Sequence, residues 1–328
     1  MDIQLLSGLS GRKQNMWAQL LAQAGLHAED VPEKTVLIWD GEELAATGSR
    51  QGNILKYLAV AEDYQGQDLT AKVLTALRED AFREGIDHLF LYTKPQNKYL
   101  FTPLFFYPVA QTDSVLLMED RRGGIRQHMA AYPQGVAGGV VGAAVMNCNP
   151  FTYGHRYLIE QAARECDWLY VFVLSQEQPP FPAADRLELV RLGTQDIPNV
   201  TILPSGPYLL SAATFPTYFL KDREAAGQIQ CALDIEIFAN YYAPHFGITR
   251  RFVGSEPLSP MTNLYNKALR ENLPGRGIEV TEFPRLEMSG IPVSASAVRA
   301  LLGKNQPIAL RTLVPQTTFD YLQKQHLI

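Results

Sequence analysis

The chain has 328 residues, which is long for a single domain, and a usual domain size of roughly 150 residues predicts two. Its 29 Lys and Arg against 34 Asp and Glu give a net charge of -5, which argues against a generic nucleic-acid-binding protein because such proteins carry a basic surplus. The three cysteines form no CxxC pair, so their spacing supports neither a zinc site nor a disulfide framework. The sequence shows neither a signal peptide nor the ~20 apolar residues of a spanning helix, so we expect a cytoplasmic protein without a membrane or nucleic-acid partner.

The first half of the chain is predicted to contain strands and two helices. Residues 14–25 favour a short helix because Trp17, Leu20 and Leu21 recur at helical spacing, and residues 69–84 carry a stronger helical pattern. Apolar runs bounded by polar turns predict the strands. These strands cover residues 35–39, 43–48, 54–60 and 88–92.

A glycine-containing stretch, residues 123–139, separates the two halves, and we place the domain boundary there. We therefore expect a first domain over residues 1–125 and a second over residues 138–328. In the second half, strands alternate with helices, which predicts an α/β fold with a parallel sheet and helices on both faces. The predicted strands cover residues 140–146, 168–174, 200–203 and 251–253, and the predicted helices cover residues 155–166 and 184–192.

The candidate functional site is the segment 145–155, VMNCNPFTYGH, where a buried strand turns into a helix. Ligands of open α/β sheets bind at the carboxyl ends of strands, and the free amides at a helix N-terminus suit phosphate. Gly154 has no Cβ and lets the backbone and a ligand approach closely. Thr152 can cap the helix or bind a phosphate oxygen, and His155 can donate a hydrogen bond to charge developing on an α-phosphate. Further candidate contacts to a bound nucleotide are Asn149, Pro150 and Phe151.

Residues 152–155 resemble the (His/Thr)-x-Gly-His motif of the nucleotidylyltransferase superfamily, whose members adenylylate or cytidylylate small substrates. The second motif of that superfamily, Ile-Ser-(Ser/Gly)-Thr-x-x-Arg, is similar to residues 293–299, VSASAVR. Ser294 and Ser296 open a predicted helix whose amides and hydroxyls suit the β- and γ-phosphates, and Arg299 adds a cation for the leaving pyrophosphate. The resemblance implies an ATP site on a Rossmann-like domain. The alternative is a packed His155 and a Ser296 that only caps a helix.

The sequence departs from this superfamily at one position. Several members carry a Lys soon after the second strand of the domain, whereas residues 175–182 contain none. The nearest cations are Arg186 and Lys221, each of which is either a contact to the α-phosphate or a surface residue. ATP normally brings Mg²⁺, which binds mainly through phosphates and water, and we see no dedicated metal cage. Glu256 is either a ligand of ribose or metal or an acid at a helix end, and Cys148 is expected to be a buried apolar residue.

Longer stretches of the second half carry a more specific likeness. They are residues 186–190, 208–221 and 254–262, the pair Tyr265-Asn266, and the motif at residues 293–299. These stretches resemble the [citrate (pro-3S)-lyase] ligase family over most of residues 138–325. The resemblance implies an acid–thiol ligase that uses ATP and Mg²⁺. ATP adenylylates acetate, and the acetyl group passes to the prosthetic-group thiol of the citrate lyase acyl carrier subunit, with release of AMP and pyrophosphate.

Residues 30–118 resemble a GNAT acetyltransferase-like α+β domain, in which meander strands lead through the turn at residues 64–71 into a long helix. In active members the amides of that turn cradle the CoA pyrophosphate. Asp68 and Thr70 stand here where glycines are expected, and a carboxylate repels pyrophosphate while a side chain crowds it. We therefore do not expect acetyl transfer by this domain. It either holds the CoA-derived prosthetic arm of the acyl carrier subunit or only supports the second domain.

Two alternatives to the acid–thiol ligase stay open on the sequence. In the first, the adenylyl chemistry serves another acceptor, such as phosphopantetheine or a mononucleotide. In the second, the chain is a nucleotide-sensing or protein-binding module with a dead catalytic site. The intact residues Thr152, Gly154, His155 and Arg299 argue against the second alternative.

Overall fold

The computed structural model describes residues 1–133, 135–136, 138–209, 216–220, 226–256, 259–288, 291–304 and 306–328. Two compact units are formed. The first comprises Met1–Gln127 with Thr214–Glu236, and the second comprises His128–Ala213 with Ile237–Ile328. The first unit therefore includes a segment from the second half of the sequence. The expected division into domains 1–125 and 138–328 stays a prediction.

The first half of the chain contains strands that are short and mostly consecutive in space. They are β1 (Asp2–Ser7), β2 (Lys34–Asp40), β3 (Glu43–Gln51), β4 (Ile54–Val60), β5 (Phe90–Thr93), β6 (Tyr107–Gln111) and β7 (Leu116–Glu119). The helices are α1 (Gly11–Gln23), α2 (Leu69–Arg83), α3 (Lys98–Phe101) and α4 (Gly124–Ala130), with 3-10 turns at Glu62–Tyr64, Pro95–Asn97 and Thr102–Leu104.

The sheet of the first unit has the strand order β1-β2-β3-β4-β5-β7-β6. Its neighbouring strands are antiparallel except β4 and β5, which run parallel and pair through Ile54 with Phe90 and Leu55 with Leu91. Helix α2 packs on this sheet through an apolar stripe at helical spacing. The buried residues of the stripe are Leu69, Val73, Leu74, Leu77 and Ala81.

Residues 216–220 belong to the core of the first unit. The backbone N–H of His27 donates to the carbonyl oxygen of Tyr218 at 2.9 Å, and the Tyr218 hydroxyl donates to the carbonyl oxygen of Tyr92 at 3.3 Å. The Tyr218 ring lies 4.6 Å from the Tyr57 ring between centroids. This segment of the later sequence therefore contributes buried aromatic surface to the first unit.

The second half of the chain alternates strands and helices. The strands are β8 (Val141–Met146), β9 (Trp168–Val173), β10 (Val200–Pro204), β11 (Arg250–Gly254), β12 (Glu279–Phe283), β13 (Glu287–Met288) and β14 (Ile291–Pro292). The helices are α5 (Tyr153–Arg164), α6 (Ala183–Leu192), α7 (Ala226–Ile237), α8 (Ala243–Phe246), α9 (Pro260–Asn272), α10 (Ala295–Leu301), α11 (Pro307–Leu313) and α12 (Gln316–Lys324). A π-helical turn, Phe238–Tyr242, joins α7 to α8, and a 3-10 turn covers Pro274–Arg276.

The main sheet of the second unit has the order β10-β9-β8-β11-β12, and every neighbouring pair is parallel. This is the doubly wound arrangement, in which the chain moves first to one side of β8 and then to the other. The reversal lies between β8 and β11. In such a sheet a crevice forms outside the carboxyl ends of the two strands at the reversal, so the loops after β8 and β11 are placed to bind a ligand.

The predicted α/β fold class is confirmed, with an α+β first part and a parallel sheet in the second. The structure differs from the sequence-based prediction in several places. The stretch 123–139 contains α4, because Ile125 and Met129 are buried and the Ile125 N–H donates to the Glu119 carboxylate at 3.0 Å. Strands β1, β6, β7 and β12 were not predicted. Of these, β1, β6 and β12 lie at sheet edges, where the apolar pattern is weak. None of the helices in the described ranges is long and apolar enough to cross a membrane.

Candidate active site

A cavity of about 620 Å³ lies at the carboxyl ends of β8 and β11. Its wall consists of the loop after β8, the first turn of α5, the loop after β11, residues 284–286 after β12, and the first turns of α10. The two sequence motifs therefore meet in one cavity at the reversal point of the sheet. The predicted site residues that line it are Asn149, Thr152, Gly154, His155, Ser294, Ser296 and Arg299.

The remaining predicted residues are placed differently. As far as the described residues form the cavity wall, it does not include Pro150, Phe151 or Arg186. Phe151 is fully buried, and its ring packs against Gly193 behind the motif. Lys221 lies outside the described residues. The direct contacts expected for Pro150, Phe151, Arg186 and Lys221 stay predictions.

Thr152 and His155 form a capping box at the N-terminus of α5. The Thr152 hydroxyl accepts from the His155 backbone N–H at 3.4 Å, and the Thr152 backbone N–H donates to His155 Nδ1 at 3.1 Å. An imidazole nitrogen that accepts from an amide carries no proton, so the neutral ring carries its proton on Nε2. The cap therefore fixes the tautomer and leaves the Nε2–H available to a ligand.

The electrostatic environment keeps His155 neutral. Burial, together with the nearby cations Arg285 and Arg299, lowers the pKa of His155 from its ordinary value of 6.5 to about 4. Desolvation and like charges both disfavour the imidazolium form. At neutral pH His155 is therefore an uncharged hydrogen-bond donor through Nε2. The imidazolium form, which would act as an acid, is not populated.

Gly154 lies close to the backbone of the second motif. A Cβ at this position would lie 2.5 Å from the carbonyl oxygen of Val293, which is a backbone atom and cannot rotate away. Val293 directly precedes the N-cap residue of α10. The absence of a side chain at Gly154 therefore allows α10 to dock against the start of α5.

Helix α10 brings its own polar groups to the cavity. The Ser294 hydroxyl caps the helix by accepting from the Ala297 N–H at 3.1 Å. Arg299 donates to the backbone oxygen of Asn149 and, at 3.1 Å, to the Ser296 hydroxyl. The Arg299 side chain thus connects the loop after β8 to α10, and it adds a positive charge where the two motifs join.

Arg186 has a different environment from the one expected of a phosphate ligand. Its side chain is fully buried, and its guanidinium donates to the backbone and side-chain oxygens of Asn147 and to the backbone oxygen of Gln176. Burial lowers the pKa of Arg186 from its usual value. These contacts fix the loops that follow β8 and β9, and through Asn147 they support the cavity wall from behind.

Two further charged residues line the cavity wall, and one of them, Arg285, was not identified from the sequence. Arg285 follows β12 and forms an ion pair with Glu256, which follows β11. The sequence leaves Glu256 as either a ligand of ribose or metal or an acid at a helix end, and the structure places it against Arg285. Arg285 lies in neither motif, and its only sequence signal is its position after an edge strand that was not predicted.

The thiol of Cys148 is unsuited to acyl transfer. Cys148 lies at the cavity wall in a left-handed conformation with φ 51°, but its side chain is fully buried. Burial raises the pKa of the Cys148 thiol far above its ordinary value, which disfavours the nucleophilic thiolate. The described part of the chain also holds no group of three or more His, Cys, Asp or Glu side chains that could bind a metal ion.

The doubly wound sheet, the two cations and the neutral histidine donor define an α/β enzyme whose cavity suits an anionic ligand. Residues 141–322 match the family described as Citrate lyase ligase C-terminal domain, and residues 10–100 match the Acetyltransferase (GNAT) family. The chain belongs to the citrate lyase ligase family, and it is an enzyme of the ligase class.

Similar proteins cover nearly the whole chain. A [Citrate [pro-3S]-lyase] ligase of Klebsiella pneumoniae is 40% identical over 314 residues, which is 93% of this chain and 91% of that relative. The protein of the same name from Escherichia coli strain K12 is 38% identical over 93% of this chain and 89% of its own length. That of Haemophilus influenzae is 36% identical over 87% of both chains. The likeness therefore includes both units.

Proposed function

We propose that this chain activates acetate with ATP and transfers the acetyl group to the prosthetic-group thiol of the citrate lyase acyl carrier subunit. In the first step a carboxylate oxygen of acetate bonds to the α-phosphorus, and the bond to the β-phosphate oxygen breaks. The products are acetyl-adenylate and pyrophosphate. In the second step the thiol sulfur bonds to the acetyl carbon, AMP leaves, and the thiol proton is released.

The main support for this proposal is that residues of both motifs line one cavity at the reversal point of a parallel sheet. The free amides at the start of α5 and the Nε2–H of His155 can stabilise, by hydrogen bonding, the negative charge that develops on the α-phosphate. Ser294, Ser296 and Arg299 suit the β- and γ-phosphates and the departing pyrophosphate. Membership of a ligase family named for citrate lyase supports the choice of acceptor.

The roles of the residues around the motif follow from their contacts. Asn149 is held by donation from its Nδ2 to the backbone oxygens of Gln178 and Pro179, at 3.4 and 3.2 Å. We propose that Asn149 and Gly154 contact the nucleotide directly. Pro150 and Phe151 are proposed to shape the strand-to-helix turn, since the Phe151 ring is buried behind it.

Mg²⁺ is proposed to arrive with ATP. The one carboxylate that lines the cavity among the described residues, that of Glu256, is paired with Arg285 and is a poor match for a protein-based metal site. Mg²⁺ commonly keeps several waters and binds through substrate phosphates, which suits this wall. The metal would neutralise charge on the phosphates, while the protein residues hold and orient them.

Two roles for the first domain stay open within this proposal. One is presentation of the carrier's CoA-derived arm, and the other is support of the second domain. Asp68 adopts φ 56° at the start of α2, the left-handed conformation that glycine accommodates most easily. A carboxylate fixed in this turn is unfavourable for a pyrophosphate, so we propose no acetyl-CoA-dependent transfer here. The expected cytoplasmic location also stays a prediction.

The test is exchange of labelled pyrophosphate into ATP, with and without acetate, followed by AMP release with and without deacetylated citrate lyase. We expect exchange to require acetate and AMP release to require the carrier thiol. Exchange that requires phosphopantetheine or a mononucleotide in place of acetate would contradict the proposal. A complete lack of ATP turnover under all of these conditions would favour a nucleotide-sensing module.

A further inference from the structure

Building on the proposed function, we infer that Arg285 is the cation that contacts the α-phosphate of ATP and that Glu256 positions it. The segment after β9, residues 175–182, contains no lysine or arginine. A reaction that gathers negative charge on the α-phosphate needs a cation close to it. Arg285 would supply that charge from the opposite part of the sheet, at the end of β12.

The position of Arg285 is fixed by the loops after β11 and β12. The backbone N–H of Ser255 donates to the carbonyl oxygen of Phe283 at 2.8 Å, and the backbone N–H of Arg285 donates to the Ser255 hydroxyl at 3.1 Å. The two loops therefore extend the pairing of the strands beyond their ends. On this base Glu256 pairs with the Arg285 guanidinium, and both side chains reach the cavity wall.

The ion pair of Glu256 and Arg285 is mostly buried but still partly accessible to solvent. The Glu256 side chain is 11% exposed and the Arg285 side chain 25% exposed. A guanidinium has five N–H donors in a fixed plane, so one carboxylate leaves other donors for an anionic oxygen. Glu256 can thus hold the orientation of Arg285 while the remaining donors stay available to a phosphate.

The other described cations near the motifs make hydrogen bonds to other groups. Arg186 is fully buried and bonded to Asn147 and Gln176, and it does not reach the cavity wall. Arg299 is bonded to Asn149 and Ser296 at the α10 side, which suits the β- and γ-phosphates. Arg285 also lines the cavity, and its charge acts on His155 together with that of Arg299. Two cations of the cavity wall are therefore near His155, the residue proposed to contact the α-phosphate.

Calorimetric titration of the full-length protein with ATP, AMP and adenosine tests this inference without any turnover. Arg285→Gln should weaken ATP and AMP binding by a similar factor, about tenfold, and leave adenosine unchanged, because both nucleotides contain the α-phosphate. Arg299→Ala should instead weaken ATP much more than AMP. The matched control is Arg250→Gln, which removes a β11 arginine paired with Glu279 away from the cavity and should change none of the three.

A loss confined to ATP in Arg285→Gln would place Arg285 at the β- and γ-phosphates and overturn the inference. Unchanged AMP binding together with a raised KM for acetate would place it at the acetate carboxylate and would also overturn it. These binding results are informative even if acetate-dependent exchange is not found in the wild-type protein. In that case the proposed acceptor chemistry would fail, whereas the α-phosphate contact would stand.

Kinetics and spectroscopy separate this role from a purely structural ion pair. In Arg285→Gln, kcat for acetate-dependent pyrophosphate exchange should fall about 100-fold, Arg285→Lys should recover it in part, and the pKa of His155 measured by NMR should rise. Glu256→Gln should lower kcat less than Arg285→Gln does, and the variant should still bind AMP. If Arg285→Gln lowered the melting temperature with wild-type kcat and an unchanged His155 pKa, Arg285 would be structural only.

Discussion

Replacing Gly154 by alanine should damage the site through the backbone of the second motif. The added Cβ would lie 2.5 Å from the Val293 carbonyl oxygen, whereas ordinary contact begins at 3.4 Å. The two backbones must therefore separate by about 0.9 Å, the difference between these two distances. Val293 leads directly into the Ser294 cap, so the displacement is passed to α10 and its Arg299.

The expected cost follows from the size of this displacement. Overpacking by one methyl group in a well-packed region typically costs about 1–3 kcal/mol. Part of that cost should appear as lower stability, because α10 is held to the loop after β8 through Arg299 and Asn149. If about 1.4–2.8 kcal/mol is lost from transition-state stabilisation, kcat/KM falls roughly 10- to 100-fold.

The assay is acetate-dependent exchange of pyrophosphate into ATP, combined with a thermal unfolding curve to show that the variant is folded. The matched control is Gly254→Ala in the same cavity. A Cβ at Gly254 would meet its nearest neighbour, a side-chain carbon of Leu158, at an ordinary 3.7 Å. We expect near wild-type exchange from the control. Wild-type kcat/KM in Gly154→Ala would refute the reasoning that the two motifs are in contact at this glycine.

His155→Ala should lower kcat for acetyl-adenylate formation about 100- to 1,000-fold, and a raised KM for ATP at unchanged kcat would make His155 a binding residue instead. Arg299→Ala should weaken ATP much more than AMP in calorimetry, and equal losses would contradict its assignment to the β- and γ-phosphates. Because the pKa of His155 is about 4 in the folded chain and ordinarily 6.5, the unfolded chain binds the extra proton between these values. The free energy of unfolding should therefore fall by up to about 3 kcal/mol as pH drops through that window, and urea titrations of His155→Gln should lack this slope. Purified protein should not acetylate amines from acetyl-CoA, and turnover there would show that Asp68 was misinterpreted.

The part of the site that was predictable from sequence is the part with local patterns. The strand-to-helix turn at residues 145–155 combines a buried strand, a capping threonine and a glycine within a few residues. The motif at residues 293–299 has a capping serine and a helix start of the same local kind. Local geometry of this type is determined mainly by neighbouring residues, so both segments take the form that their sequences indicate.

The cations of the cavity could not be assigned in the same way. Arg186 is close to the first motif along the sequence, yet α6 turns it toward the buried oxygens of Asn147. Arg285 is far from the first motif along the sequence, but the sheet order places β12 beside β11 and β11 beside β8. Strand order depends on contacts between distant segments, which a single sequence does not reveal. The same limit applies to residues 216–220, whose place in the first unit has no local signal.

The chemistry of the cavity also bears on the kind of nucleophile that it serves. His155 is held neutral with Nδ1 occupied by the Thr152 amide, and Glu256 is occupied by Arg285. Neither group is therefore placed to remove a proton from an attacking alcohol or amine near neutral pH.

A carboxylate nucleophile needs no such base, because a carboxyl group with a pKa near 4 has already lost its proton. What it needs is positioning and cations that offset the repulsion between two anions, and the wall provides these through Arg285, Arg299 and the amides of α5. A cavity whose described wall residues include no available general base thus fits activation of an acid such as acetate better than transfer of an adenylyl group to an alcohol or amine.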